Sequence, residues 1–213
     1  RPDSNRGGIN VHAARKQVGK GMAQEAPVEA DIVIGVPDSS TSAAIGYAEA
    51  SGIPYEMGLI KNRYGGRTFI QPSQEMRERG VKMKLSAVHG IVAGKRLVIL
   101  DDSIVRGTTM RRIVELLRQA GAMEVHLRIS SPPIMHPCHY GIDMHSYEEL
   151  ISANMDPTAL REYMGADSLV FLSLDGLLST IGNSCPSQQH GRCTGCFTGG
   201  YPTPINLGEE FLL

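Results

Sequence analysis

A chain of 213 residues and 23.0 kDa can bury one sizeable core, which leaves room for one domain, or one domain with an appendage, and excludes two full ones. Its 21 Lys and Arg stand against 22 Asp and Glu, so the net charge of -1 gives no reason to expect nucleic acid or an anionic membrane as partner, and any basic site must be local. No apolar run approaches the roughly 20 residues of a membrane span, and the opening RPDSNRGGINVHAARK lacks the apolar core of a signal peptide, so a soluble, cytosolic protein is expected.

In chain order, short β-rich runs alternate with helical patterns, which predicts an α/β fold with a mostly parallel sheet flanked by helices. DIVIGV (31–36) reads as a strand, SAAIGYAEAS (42–51) as a helix, and IPYEMGLI (53–60) contains the next strand. RLVILDD, from Arg96, is a strand, Thr108 to Gln119 a helix stopped by Gly121, and EVHLRIS (124–130) another strand. SYEELI, DPTALREYMG and DGLLSTIG read as short helices around a strand SLVFL. The stretch from Asn183 to Pro204 is rich in Gly, Cys, Pro and Ser and reads as a loop held by something other than apolar packing. No internal repeat is present.

The strand RLVILDD ends in two adjacent carboxylates, Asp101 and Asp102, and is followed by SIVRGTT. In an open α/β sheet, ligands bind outside the carboxyl ends of the strands. The turn supplies backbone N–H groups, Gly107 and the hydroxyls of Ser103, Thr108 and Thr109 just before a helix, a combination suited to a phosphate. Two carboxylates beside a phosphate cradle make electrostatic sense when a divalent cation or sugar hydroxyls lie between, so the implied ligand is a sugar phosphate with Mg²⁺. An acid doublet alone would more simply cap the turn; the whole string VILDDSIVRGTT favours the ligand. The doublet is expected to face solvent, so that its loss should affect stability little.

A second phosphate site is readable in GVPDSSTSAA (35–44), where Pro37, Asp38, Ser39, Ser40 and Thr41 crowd a helix N-terminus. On the residues alone an ordinary capping segment is the simpler reading. Residues 61–84 concentrate seven basic side chains (Lys61, Arg63, Arg67, Arg77, Arg79, Lys82, Lys84) against two acids, a local charge of +5, in a run broken by Gly65, Gly66, Pro72 and Gly80. Charge runs are usually solvated surface, but a loop this long in a compact domain is usually functional or disordered, and a lid that brings cations over a polyanion fits better.

VILDDSIVRGTT resembles the phosphoribosyl pyrophosphate (PRPP) motif of type I phosphoribosyltransferases. With RPDS, NVHAARKQVGK, GVPDSSTSAAIGYAEASGIPYEMGLIKNRYGGRTFIQPSQ, KLSAVHGIVAGKR and SSPPIMHPCHYGIDM, the chain is similar, from Arg1 to about Thr203, to the glutamine PRPP amidotransferase family in its iron-sulfur branch. The resemblance implies a type I phosphoribosyltransferase fold over 1–182, with 61–84 as a flexible lid, and a Gly/Cys-rich C-terminal segment at 183–213 carrying metal-cluster ligands. It implies the first committed step of purine biosynthesis, in which ammonia from glutamine displaces diphosphate from PRPP to give 5-phosphoribosylamine. The 5-phosphate falls to Ser103, Ile104, Val105, Arg106, Gly107, Thr108 and Thr109. The diphosphate falls to Pro37, Asp38, Ser39 and Ser40, and Ser39 joins Asp101 and Asp102 as an Mg²⁺ ligand. Lys61, Arg67 and Lys84 are the lid residues expected at the leaving group. Purine nucleotides are expected as feedback inhibitors, and a homo-oligomer, tetrameric in the family, as the assembly. The family's N-terminal glutaminase domain, with its N-terminal cysteine nucleophile, is not in this chain, which opens in mid-motif at Arg1; part of something longer is expected, using free ammonia if it folds alone. A non-catalytic PRPP- or nucleotide-sensing module of the same fold is the alternative, and a transferase acting on a nucleobase is disfavoured by the flanking matches.

Four cysteines remain: Cys138, Cys185, Cys193 and Cys196. CTGC alone is compatible with zinc, a redox pair or a cluster. The resemblance selects a [4Fe-4S] cluster on Cys138, Cys193 and Cys196 and places a fourth ligand just before RPDS, outside this chain, leaving Cys185 a free thiol. The seven histidines, His12, His89, His126, His136, His139, His145 and His190, show no metal spacing such as H-x3-H and are assigned no catalysis; His136 and His139, which flank Cys138, are placed to orient its thiolate.

Overall fold

The computed structural model describes residues 2–6, 8–62, 85–183 and 192–205, so that Arg67, Lys84 and Cys185 lie outside the described residues. A small hairpin, β1 (Asn5–Arg6) and β2 (Ile9–Asn10), leads into helix α1 (Val11–Glu25), whose N-terminus is capped by the Asn10 side chain accepting from the Ala13 N–H at 3.1 Å. β3 (Ile32–Gly35) and α2 (Thr41–Ser51) follow, the helix beginning one residue before the sequence pattern placed it.

The strand expected within 53–60 is divided in two. Tyr55 makes a single parallel bridge to Val33, and β4 (Leu59–Lys61) pairs instead with β5 (Leu85–Ala87) in an antiparallel hairpin. One helical turn (His89–Val92) precedes β6 (Arg96–Asp101), α3 (Thr108–Gln119) and β7 (Glu124–Ile129). A 3-10 turn (Tyr147–Glu149), a helical turn (Ile151–Asn154), α4 (Pro157–Met164), β8 (Ser168–Phe171) and α5 (Leu174–Asn183) complete the main body.

The sheet order is β3-β6-β7-β8, with every pair parallel. Parallel strands covered on both faces are largely apolar: Leu97 to Leu100 of β6 are 0% exposed, while β7 also buries His126 and Arg128. Alternation sends Ile32, Ile34, Leu97 and Ile99 to one face, under α3 and α4, and Val33, Val98 and Leu100 to the other, under α1 and α2. Burying each such side chain contributes about 1.5–3 kcal/mol. Layering of this kind leaves the carboxyl ends of β3 and β6 side by side at one sheet edge.

α1 and α2 approach to backbone contact. A Cβ at Gly19 would overlap the Ala43 carbonyl, and one at Gly46 would overlap the Lys16 carbonyl, so only glycine admits this distance at either position. Lys16 and Lys20 of α1 both pair with Glu49 of α2. A smaller lobe beyond β7 is built on Ile134, Met144 and Leu150, with Val105, Cys138, Cys196 and Phe197 packed against them. The described part of the Gly- and Cys-rich stretch, with its helical turn Gly195–Thr198, is therefore held partly by apolar packing, contrary to expectation.

Candidate active site

Asp101 is the last residue of β6, and the chain then turns through 102–107 into α3. Gly107 stands at the N-cap of α3 with φ +74, a left-handed conformation that glycine adopts without strain. Asp101 and residues 103–110 line a cavity of about 320 Å³ over the N-terminus of α3, where unpaired helix N–H groups and the helix dipole favour an anion. The turn is braced from behind: the Ile151 N–H donates to the Val105 carbonyl (2.9 Å), and Arg106 donates to Glu149 (2.7 Å).

The second loop lies beside it. Val36 continues the β3 ladder by donating its N–H to the Leu100 carbonyl (2.9 Å), and the chain then turns through Pro37, Asp38, Ser39 and Ser40 into α2. Ser40, 1% exposed, donates its hydroxyl to Asp101 Oδ1 at 2.9 Å, so the two loops meet at the carboxylate doublet. Lys61, at the end of β4, pairs with Asp38 at 3.1 Å, which places one of the three expected lid cations at this loop.

Asp101 departs from the solvent-facing position expected of it. Burial pushes its carboxyl up from 3.8 to about 7, and the neighbouring Asp102 charge pushes the same way, while the Ser40 hydroxyl and the Asp102 N–H (2.9 Å) oppose them. Ser130 fixes the main chain by donating from N–H (2.8 Å) and Oγ (3.0 Å) to the Asp101 carbonyl. Two adjacent, half-buried carboxylates are poised to gain from a cation, and Asp101 equally to carry a proton near neutral pH.

Two contacts from α1 were not anticipated. Arg15 Nη1 donates to the Ser39 carbonyl at 3.1 Å, and His12 Nδ1 lies 2.9 Å from Ser42 Oγ. The signal that could have found them is the Asn10 cap, which sets where α1 starts and hence which side chains lie over the loop.

Cys138, Cys193 and Cys196 are free thiols gathered in the small lobe. Burial pushes the Cys196 thiol up, and Cys138 and Cys193 are near enough to add to the effect. His136 and His139 are engaged with tyrosines: His136 Nδ1 lies 3.0 Å from the Tyr147 hydroxyl, and His139 stacks edge-on against Tyr201 at 4.9 Å. Among the described residues no group of three or more His, Cys, Asp or Glu side chains is arranged to hold a metal ion, and no helix is long and apolar enough to cross a membrane.

A family model described as the phosphoribosyl transferase domain matches residues 9–130, a span that includes both loops and the doublet. The chain belongs to the phosphoribosyl transferase family. Its parallel sheet flanked by helices is the type I phosphoribosyltransferase fold. This phosphoribosyl transferase is 66% identical over 205 residues to the amidophosphoribosyltransferase of Bacillus subtilis, covering 96% of this chain and 43% of the relative. It is 59% identical over 205 residues to that of Staphylococcus aureus, covering 96% and 42%. Among solved structures it is similar to the glutamine PRPP amidotransferase of B. subtilis complexed with ADP and GMP, at 66% identity and a TM-score of 0.86, covering 97% of this chain and 46% of that one. The chain thus spans less than half the length of these relatives.

Proposed function

We propose that this chain is the phosphoribosyltransferase portion of an amidophosphoribosyltransferase, in which ammonia, drawn from glutamine in a longer protein, displaces diphosphate from PRPP to form 5-phosphoribosylamine, the first committed step of purine biosynthesis. The observation that carries this reading is the Ser40 to Asp101 hydrogen bond, which joins two anion-suited loops across one carboxylate doublet. A sugar with a phosphate at one end and a diphosphate at the other would find both ends met and its ring over the acids. The names and identity of the two relatives support the same assignment. We assign residues 1–182 to the transferase domain and 183–213 to a Cys-bearing C-terminal segment.

The chemistry asks mainly for positioning and charge stabilisation. The ammonia lone pair forms the bond to C1 as the C1–O bond breaks, diphosphate departs with that electron pair, and the new ammonium loses its proton to solvent. Ser103, Ile104, Val105, Arg106, Gly107, Thr108 and Thr109 hold the 5-phosphate, and Pro37, Asp38, Ser39 and Ser40 receive the diphosphate. Asp101 and Asp102 orient the ribose hydroxyls. Ser39 and the doublet offer oxygen donors that fit Mg²⁺, an ion that completes its shell with substrate oxygens and water, and its charge would offset that of the leaving group. Lys61 would exchange its Asp38 partner for the diphosphate, with Arg67 and Lys84 closing over it to exclude water. Diphosphate release from PRPP in ammonium buffer at mildly alkaline pH, strictly dependent on Mg²⁺, is the expected result. PRPP binding without release would favour the sensing module instead.

For the iron-sulfur cluster, the thiols fit in kind and fall short in number. Cys138, Cys193 and Cys196 are three where four thiolates are usual, and as placed they form no ligand set. A cluster here would pin the C-terminal segment to the sheet domain without taking part in the chemistry. The 213-residue chain is expected to hold a labile cluster or none; stoichiometric iron and sulfide that survive Cys185→Ala would overturn this ligand accounting. Purine nucleotides as feedback inhibitors and a homo-oligomeric assembly complete the proposal, the former supported by the ADP and GMP bound to the B. subtilis relative.

A further inference from the structure

We propose that Arg15 of α1 is a positioning residue for the diphosphate turn, acting through the main chain of Ser39. The assignment rests on the functional reading above. The α2 ladder begins at the Ser40 carbonyl, which accepts from the Ala44 N–H at 2.9 Å, and the Ser39 carbonyl one residue earlier takes the Arg15 guanidinium at 3.1 Å. The same peptide unit is held at its other end, where the Ser40 N–H donates to the Val36 carbonyl at 3.1 Å. A peptide unit is rigid and planar, so fixing its oxygen and its nitrogen fixes the plane between Ser39 and Ser40. That plane sets the direction in which both serine side chains leave the turn.

What makes Arg15 an accurate reference point is the packing beneath it. Lys16, the next residue, lies with its carbonyl directly against Gly46, and Gly19 receives Ala43, so α1 cannot slide or roll on α2 without a backbone collision. His12, one turn earlier, adds a contact to Ser42, which is 4% exposed. Arg15 is half-buried and touches neither of the carboxylates nor the 5-phosphate cavity. Its effect should therefore fall mainly on the diphosphate end of the ligand, since its route to the other loop runs through the single Ser40 hydroxyl on Asp101.

The test compares two probes on the full chain. Arg15→Ala is expected to weaken binding of Mg²⁺-diphosphate about tenfold, the scale of a lost hydrogen bond from a charged donor, while ribose 5-phosphate, which needs the other loop, changes by less than about twofold. Arg15→Lys, which keeps a cationic donor, should recover part of the loss. Equal weakening of both probes would identify a general structural role and overturn the assignment, as would unchanged diphosphate binding in Arg15→Ala. Failure of the unsubstituted chain to bind diphosphate would overturn the functional reading itself, and this assignment with it.

Discussion

Replacing Asp101 and Asp102 together with asparagine is expected to lower ammonia-dependent diphosphate release by about a thousandfold or more, on the scale of losing a preorganised electrostatic group, while the chain remains folded. The stability effect should run the other way and depend on pH. Asp101 has a folded pKa raised to about 7 against an ordinary 3.8, first by burial and then by Asp102. Between those values the folded state holds a proton that the unfolded state has lost, so this group favours folding at low pH and that advantage disappears as pH rises toward and past 7. At about 1.4 kcal/mol per pH unit, the loss across that window is about 4 kcal/mol at most. Asp101→Asn removes the titrating group, so its urea midpoint should exceed that of the unsubstituted chain at pH 8 and approach it at pH 5. A single substitution that destabilised the chain at pH 8 would show that the carboxylate is not strained by burial. Activity should rise with pH through the region near 7 as Asp101 ionises, and Mg²⁺ should move that rise to lower pH.

Gly107→Val should abolish binding at the 5-phosphate cavity and destabilise the chain by about 2–4 kcal/mol. Two penalties combine. The φ of +74 is unfavourable to any β-branched residue, and even a bare Cβ would lie 2.7 Å from Ile151 Cδ1 and 2.8 Å from Met164 Cε. Those atoms are the ends of flexible side chains, so alanine should be tolerated better than valine, with the backbone strain remaining. Urea unfolding and ribose 5-phosphate titration read the two effects separately. Retention of ribose 5-phosphate affinity in a folded valine variant would remove the turn from the site.

The strands of the sheet were legible because each is a short apolar run between turn residues, and α3 was legible to the residue because Gly107 and Gly121 punctuate it. The place of the carboxylate doublet and its turn at the end of β6 was equally readable, since strand end, glycine and hydroxyls are all local signals, whereas the 35–44 loop read on its residues alone as an ordinary capping segment. α1 was not. Its buried residues are Val18, Gly19, Met22 and Ala23, two of them too small to stand out as an apolar stripe. β4 begins within the 53–60 run, but its pairing was not legible because its partner, β5, lies beyond a long intervening segment, and pairing at that separation leaves no local trace. The enclosure of Asp101 was invisible for a related reason: the hydroxyl that reaches it comes from 61 positions away.

The strand order also bears on how the chain is made. β3 has no described strand neighbour within the sheet except β6, and the contact between Asp31 and Arg96 at their N-terminal ends spans 65 positions. At a synthesis rate of roughly 5–20 residues per second, the Ile-Val-Ile run of β3 emerges from the ribosome several seconds before the strand that will pair with it. During that interval α1 and α2 can cover the Val33 face and the 54–56 segment can bridge its free edge, while Ile32 and Ile34 face the side that α3 and α4 cover. The close helix pair thus shelters one face of nascent β3, at Val33, and leaves Ile32 and Ile34 open to aggregation until the elements that cover them have been made.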